Sequence, residues 1–207
     1  IVIDNNAKKF FPKVGSSFTI FIWQKGVYDN KTRVYNNYLI NDVQENIYLS
    51  PQLKFIPLYV SNETISLSKK LVSDNRNLFD YRCDLHNFTQ KEKLSDEKDD
   101  TFLYRTIHTA RKTRFAKIKQ DIFDKWTIII PLSTYYIPYI TTQTNVTQSV
   151  GYISFDTKEE AEIYLRKITK DEIKLPVHLT RYGNFNNIKL LRHLKFDGDY
   201  SLTEKEK

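Results

Sequence analysis

A strand followed at once by a capped helix, within residues 150–168, is the feature that most constrains how this chain folds. Residues 150–155 are apolar and of strand length. Thr157 is a favoured N-cap residue, and Glu160 three positions later completes a capping box. Apolar residues then recur at helical spacing at Ala161, Tyr164, Leu165 and Ile168. A strand and a helix in direct succession predict a mixed α/β fold.

Other strands are predicted from apolar runs. Residues 126–131 form a continuous apolar stretch, which is typical of a strand buried on both faces. Residues 135–140 contain Pro138, which restricts them to an edge strand or a loop. Residues 1–3 and 18–23 are β-branched and aromatic, so we expect two further strands near the start of the chain.

The remaining segments give weaker predictions. Residues 62–72 predict a short helix with an imperfect apolar stripe, and Asn186 predicts the cap of a last helix. Pro176 is expected to break any helix across residues 170–178. Residues 26–37 are polar and rich in turn formers, which favours a linker.

Composition limits the class of protein. A chain of 207 residues suits one domain, or one domain plus a piece of another, and its 40% apolar content supports a real core. Because it lacks Met and starts at Ile1, we interpret it as part of a longer protein. The single cysteine, Cys83, excludes an internal disulfide framework and favours a reducing, cytoplasmic location. No apolar run approaches about eighteen residues, so we expect no membrane span.

The net charge of +7 is unevenly distributed. Residues 87–100 are acidic and polar and predict a mobile surface loop. Residues 105–119 carry no acid and six cations: Arg105, Arg111, Lys112, Arg114, Lys117 and Lys119. Clustered cations neutralise phosphates, Arg can read guanine, and His108 adds a short donor. The alternative is a solvated helix face, although these cations have no acids among them to pair with.

A second polar set is suited to base edges. The amides of Gln148, Asn184 and Asn186 match adenine, and Arg181 matches guanine or phosphate. Thr147 and Tyr182 stand beside them as further candidate DNA contacts. The structural alternative is turn chemistry for Asn184 and a helix cap for Asn186.

Catalytic and metal chemistry is poorly represented. The spacing of Cys83 and His86 is metal-like, but no second pair lies nearby. Glu159, Glu160 and Glu162 could form a metal-dependent nuclease centre, but a helix with a capping role explains them better. We therefore predict no catalytic residues and no metal site in this chain.

Three patches together resemble adenine-N6 DNA methyltransferases. The first, residues 1–26, contains an apolar strand, a Phe-Phe-Pro loop and a second strand that ends in Trp-Gln-Lys. The second is the basic segment 104–117, and the third combines residues 145–153 with residues 181–188. The resemblance implies that residues 1–30 are the last hairpin of a catalytic sheet. Residues 31–207 would be a DNA target recognition domain with a frayed tail at 197–207. Trp23 would stack on an adenine flipped out of the duplex. The plain alternative is a structural aromatic at a strand end.

The implied function is sequence-specific recognition of double-stranded DNA for an adenine-N6 methyltransferase of a restriction-modification system. That family binds S-adenosylmethionine through a Gly-rich loop and transfers the methyl group at an Asn-Pro-Pro-aromatic motif. Neither motif is in this sequence, so no cofactor is expected in this chain and S-adenosylmethionine is implied only for the parent enzyme. The expected partners are double-stranded DNA and the missing catalytic domain.

Three alternatives remain open at the level of sequence. The chain could be a complete protein that binds RNA or single strands through exposed aromatics. It could be a metal-dependent nuclease domain, or an interaction module that binds no nucleic acid. Competition between duplex and single-stranded oligonucleotides, and cleavage of plasmid, distinguish these from the main prediction.

Overall fold

A computed structural model describes residues 2–4, 12–13, 20–22, 25–26, 32–36, 43–49, 53–57, 60–73, 81–82, 93–181, 184–196 and 203–204. The chain divides into two compact units, a first unit of residues 1–77 with 175–207 and a second unit of residues 78–174. The described strands form three sheets, and helices accompany them in both units. The predicted mixed α/β class is confirmed, whereas its derivation from a methyltransferase stays a prediction.

The first unit contains a four-stranded sheet in the order β2-β1-β3-β4. Its strands are β1 (Val2–Asp4), β2 (Ile20–Ile22), β3 (Thr32–Asn36) and β4 (Val43–Ile47). Strand β1 is antiparallel to β2, with Val2 opposite Ile22, and parallel to β3. This confirms the two strands predicted near the start of the chain.

The linker predicted at residues 26–37 is wrong over its described C-terminal part, which contains β3. Thr32 and Val34 are buried and Arg33 between them is exposed, so the segment alternates as a half-buried strand does. The sheet also continues past residue 30, the predicted domain boundary, which lies within the first unit.

Helix α1 (Asn62–Leu71) confirms the helix predicted at residues 62–72. It begins with a capping box, in which the Ser61 hydroxyl accepts from the N–H of Thr64 and the Thr64 hydroxyl accepts from the N–H of Ser61. Leu67 and Leu71 are buried and pack in one cluster with two leucines of the helix at residues 171–179.

Seven strands are described in the second unit: β5 (Leu94–Ser95), β6 (Tyr104–Thr109), β7 (Lys112–Ala116), β8 (Trp126–Pro131), β9 (Tyr139–Thr141), β10 (Asn145–Val146) and β11 (Val150–Phe155). They form one sheet in the order β10-β6-β7-β5 and another in the order β11-β8-β9. Strand β8 is central and Thr127 to Ile130 are fully buried, as its apolar run predicts. Strand β9 follows Pro138 at an edge, which is also confirmed. Ile107, Ile129, Val146, Val150 and Tyr152 form a shared buried cluster.

The predicted mobile loop at 87–100 needs correction in its described part, residues 93–100. Leu94 is buried opposite Ala116, and β5 pairs with the edge of β7. Residues 96–100 are exposed. Residues 87–92, and the predicted tail at 197–207 apart from residues 203–204, lie outside the described residues.

Helix α2 (Lys158–Ile168) follows β11 as predicted. The Thr157 hydroxyl accepts from the N–H of Glu160 at 3.3 Å, so the predicted capping box is confirmed. Ala161, Tyr164 and Ile168 are buried. The Tyr81 hydroxyl donates to the Tyr164 hydroxyl at 2.8 Å, and burial raises the pKa of both phenols.

Helix α3 (Asp171–Leu179) contains Pro176, so the predicted break is wrong. Pro176 has no N–H for the preceding turn, but it is buried together with Ile173 and Val177 on the apolar face. That burial outweighs the lost hydrogen bond. The last helix is a 3₁₀ helix, Ile188–His193, whose N-cap position is Asn187 and not the predicted Asn186. Among the described residues, no helix combines the length and the apolar character needed to cross a membrane.

Candidate nucleic-acid interface

The basic segment is a β-hairpin formed by β6 and β7, which excludes the solvated helix face as its explanation. Thr106 pairs with Arg114 and Thr109 pairs with Lys112, with a bulge between Ile107 and Thr109. At the tip, the Thr109 hydroxyl accepts from the backbone N–H groups of Arg111 at 3.3 Å and Lys112 at 3.1 Å. This side-chain-to-backbone bonding fixes the turn that presents Arg111.

Two hairpin cations share one carboxylate. The Oδ1 atom of Asp96 lies 3.0 Å from the Nζ of Lys112 and 2.8 Å from the Nε of Arg114. Arg114 also donates through Nη2 to the carbonyl of Leu94 at 3.3 Å. The Lys112 hydrogen bond is the main reason that the pKa of Asp96 is lowered, and Arg114 adds to it. Asp96 therefore stays ionised and partly neutralises this face of the hairpin.

His108 lies on the bulge near the same charges. The Thr147 hydroxyl donates to the backbone carbonyl of His108 at 2.9 Å. It also lies 3.4 Å from the Nδ1 atom of the His108 ring. Burial lowers the pKa of His108, and the charges of Arg114 and Lys112 lower it further while Asp96 opposes them. Thr147 itself is buried, so it ties the hairpin to its neighbouring strand and offers no exposed group to a base.

Arg105 is held near the edge strand β9 instead. Its Nη1 donates to the Thr141 hydroxyl at 3.1 Å, and the Thr144 hydroxyl donates to the Arg105 carbonyl at 3.3 Å. Burial raises the pKa of Tyr139, while the charge of Arg105 acts in the opposite direction. Arg105 is thus a fixed, exposed cation without a carboxylate partner among the described residues.

The last two predicted cations lie beyond β7 against aromatic rings. The Nζ of Lys117 is 4.8 Å from the ring centre of Phe102. Lys119 lies over Phe123 at 5.2 Å and forms an ion pair with Asp124. Arg111 differs from all five: within the part of the chain that the structure describes, its exposed guanidinium has no hydrogen bond, ion pair or aromatic ring contact. The tip therefore carries the most available positive charge of the hairpin.

The second predicted set is divided between the two units. Gln148 is half-buried in the second unit, whereas Arg181, Asn184 and Asn186 belong to the first. Arg181 donates through Nη2 to the carbonyl of Asn184 at 3.2 Å. Asn184 is exposed, but Asn186 is only 2% exposed, and its carbonyl accepts from the N–H of Ile188. The buried Asn186 is placed to hold the chain, not to reach a base edge. Trp23 and Tyr182 lie outside the described residues.

No local pattern indicated a role for Asp96, which pairs with cations more than a dozen positions away. Only the register of β5 against β7 brings it to the hairpin. In the described ranges, no three His, Cys, Asp or Glu side chains are grouped so as to hold a metal ion, and Cys83 with His86 lies outside those ranges.

Comparisons with family models, with curated proteins and with solved structures found no match to this chain. The methyltransferase resemblance therefore remains a prediction from the quoted motifs, and the geometry of the hairpin is what any function must explain.

Proposed function

We propose that this chain binds double-stranded DNA sequence-specifically through the β6–β7 hairpin, as the target recognition part of an adenine-N6 methyltransferase of a restriction-modification system. The observation that carries the proposal is the hairpin tip. Arg111 and Lys112 are exposed there, flanked by the exposed hydroxyl residues Thr109 and Thr113. Cations with short donors suit phosphates, and a two-stranded ribbon fits the major groove.

The charge balance around the hairpin also supports binding to a polyanion. Residues 93–125 contain nine Lys or Arg and six Asp or Glu, so the segment keeps a positive excess after its acids are counted. Arg105 and Lys117 are positioned by a hydroxyl and a ring instead of a carboxylate. Neither cation forms an ion pair among the described residues, although Lys117 acts on the nearby Asp99 carboxylate through its charge. Because their side chains are already held, Arg105 and Lys117 lose less side-chain freedom on binding than unrestrained cations would.

The methyltransferase part of the proposal rests on the start of the chain. Strands β1 and β2 pair antiparallel, which is the arrangement that the resemblance implies for a terminal hairpin. Trp23, the proposed adenine-stacking residue, directly follows β2. S-adenosylmethionine would be bound by the catalytic domain and not by this chain. The coding sequence upstream of Ile1 tests this part, since it should encode an Asn-Pro-Pro-aromatic motif.

The DNA-binding part is tested by replacing Arg111 with Ala. We expect the affinity for a labelled duplex to fall roughly threefold to tenfold, and the slope of log affinity against log salt to become shallower by about one. Fluorescence anisotropy over a salt series measures both quantities. Arg166→Ala is the matched control, because it removes an exposed cation from α2 in the same unit.

The competing functions give different results in the same assay. Preference for single-stranded DNA or RNA over duplex would replace the proposal with single-strand binding. Metal-dependent cleavage of plasmid by the purified chain would replace it with a nuclease. Absence of binding to any nucleic acid at low salt would contradict the proposal outright.

A further inference from the structure

The loop between β8 and β9 exposes two large apolar side chains. Tyr135 is 69% exposed and Ile137 is 66% exposed. The residue between them points the other way, since the Tyr136 hydroxyl donates to the carbonyl of Ile168 at 3.2 Å. Burial raises the pKa of the Tyr136 phenol, as expected for a residue that anchors the loop.

The loop is locally ordered around this anchor. The N–H of Ile137 donates to the carbonyl of Tyr135 at 3.1 Å, which closes a tight turn with Tyr136 at its centre. Pro138, which follows, is buried and leads into β9. The two exposed apolar side chains therefore flank the anchored Tyr136 within one tight turn.

Backbone contacts place this loop at the same end of the second unit as the hairpin tip. The His108 carbonyl accepts from the Thr147 hydroxyl at 2.9 Å, and the Thr147 carbonyl accepts from the N–H of Val150 at 3.3 Å. Val150 is opposite Pro131, the last residue of β8, from which the loop departs. Thr109 and Arg111 continue outward from His108 at that same end.

The helix gives an independent route to the same placement. Strand β11 starts at Val150, at the hairpin end, and runs away from it to Phe155. Helix α2 then packs against β8, β9 and β11, and its last residue, Ile168, holds the Tyr136 hydroxyl. Sheet and helix thus both bring the loop back to the end that carries the cations.

We propose that Tyr135 and Ile137 form an apolar wedge that inserts between base pairs of the same duplex whose phosphates the hairpin tip contacts. Apolar side chains beside cations are the combination that unstacks a base step, since the cations hold the backbone while the wedge replaces lost stacking. The inference rests on the proposed DNA binding. It adds a second DNA-contacting surface, Tyr135 with Ile137, and an unstacking of the duplex that binding by the hairpin alone does not require.

The test compares a matched duplex with one that carries a single central mismatch, where unstacking costs less. We expect the full chain to bind the mismatched duplex on the order of fivefold to tenfold more tightly. The double substitution Tyr135→Ala with Ile137→Ala should reduce this preference to near one and leave the salt slope unchanged. Ile163→Ala, which removes an exposed apolar side chain from α2, should behave as the unsubstituted chain.

Binding to both duplexes with equal affinity, or a preference that survives the double substitution, overturns the wedge and leaves the DNA-binding proposal intact. Self-association that sedimentation velocity detects and the double substitution abolishes assigns the pair to a second copy of the chain and also overturns the wedge. If no duplex binds at low salt, both proposals fail together.

Discussion

Strand β8 and the β6–β7 hairpin belong to the same unit, but they differ in how far along the chain the residues that determine their environment lie. Thr127 to Ile130 are buried as a consecutive run, and that run is visible in the sequence itself. The hairpin cations are equally visible, but Asp96 and Thr141, on other strands or their flanks, decide what Lys112, Arg114 and Arg105 contact. The burial of β8 can thus be predicted from neighbouring residues, whereas the pairing of a hairpin cation depends on strand register.

The largest expected effect comes from disrupting the buried region. Ile129→Ala should lower the free energy of unfolding by about 2–5 kcal/mol, since Ile129 is fully buried in the cluster with Ile107 and Val150 and a cavity would remain. Urea unfolding followed by circular dichroism measures this change. Ile163→Ala, an exposed position, should change it by less than about 0.5 kcal/mol. Similar losses for the two variants would show that β8 is not the core strand.

The fold was predictable where one segment carried its own signal. The capping box at Thr157, the apolar run of β8 and the edge position after Pro138 all depend on neighbouring residues. The wrong predictions are those that distant packing decides. Pro176 stays within a helix because its apolar face is buried, and β3 exists because β1 and β4 pair with it.

The candidate site was predictable as a set of residues but not as an arrangement. Composition identified the cations of residues 105–119, and it did not indicate that they form a hairpin or that Asp96 joins two of them. Thr147 was predicted to contact DNA, yet it is buried against His108. A polar residue next to a strand can contact a ligand or can hydrogen-bond within the fold, and only its cross-strand partner decides which of the two it does.

The next effect tests the charged region directly. Asp96→Asn should tighten duplex binding by about threefold to tenfold, because Lys112 would be released to contact phosphates and the charge of Arg114 would no longer be neutralised. The salt slope should become steeper by roughly one to two. Asp156→Asn is the matched control, since it removes one exposed carboxylate paired with Lys125, away from the hairpin. Equal tightening by both variants would mean that only net charge matters and that the shared carboxylate of the hairpin has no special role.

The smallest expected effect is a pH dependence of stability that arises from His108, a partly buried residue beside the hairpin cations. Burial, Arg114 and Lys112 hold its folded-state pKa below the ordinary value of 6.5, so the unfolded chain takes up the proton first as pH falls. The contribution of a neutral His108 to stability is therefore complete above about 6.5 and is lost progressively as pH falls from there to the folded-state pKa.

His108→Gln removes this titration while an amide still fills the space beside Thr147. The unfolding free energy of the unsubstituted chain should fall, relative to that of the variant, as pH is lowered through the window below 6.5, and the difference should be constant above it. Urea unfolding at matched pH values measures this difference, in which the other titrating groups largely cancel. Asp96→Asn should enlarge the fall, because it removes a nearby negative charge that favours the imidazolium. A difference that is independent of pH would show that neither burial nor the hairpin cations lower the pKa of the ring in the folded chain. Charges that water screens so well from His108 would also be weakly neutralised by Asp96, which would count against the tighter binding expected of Asp96→Asn.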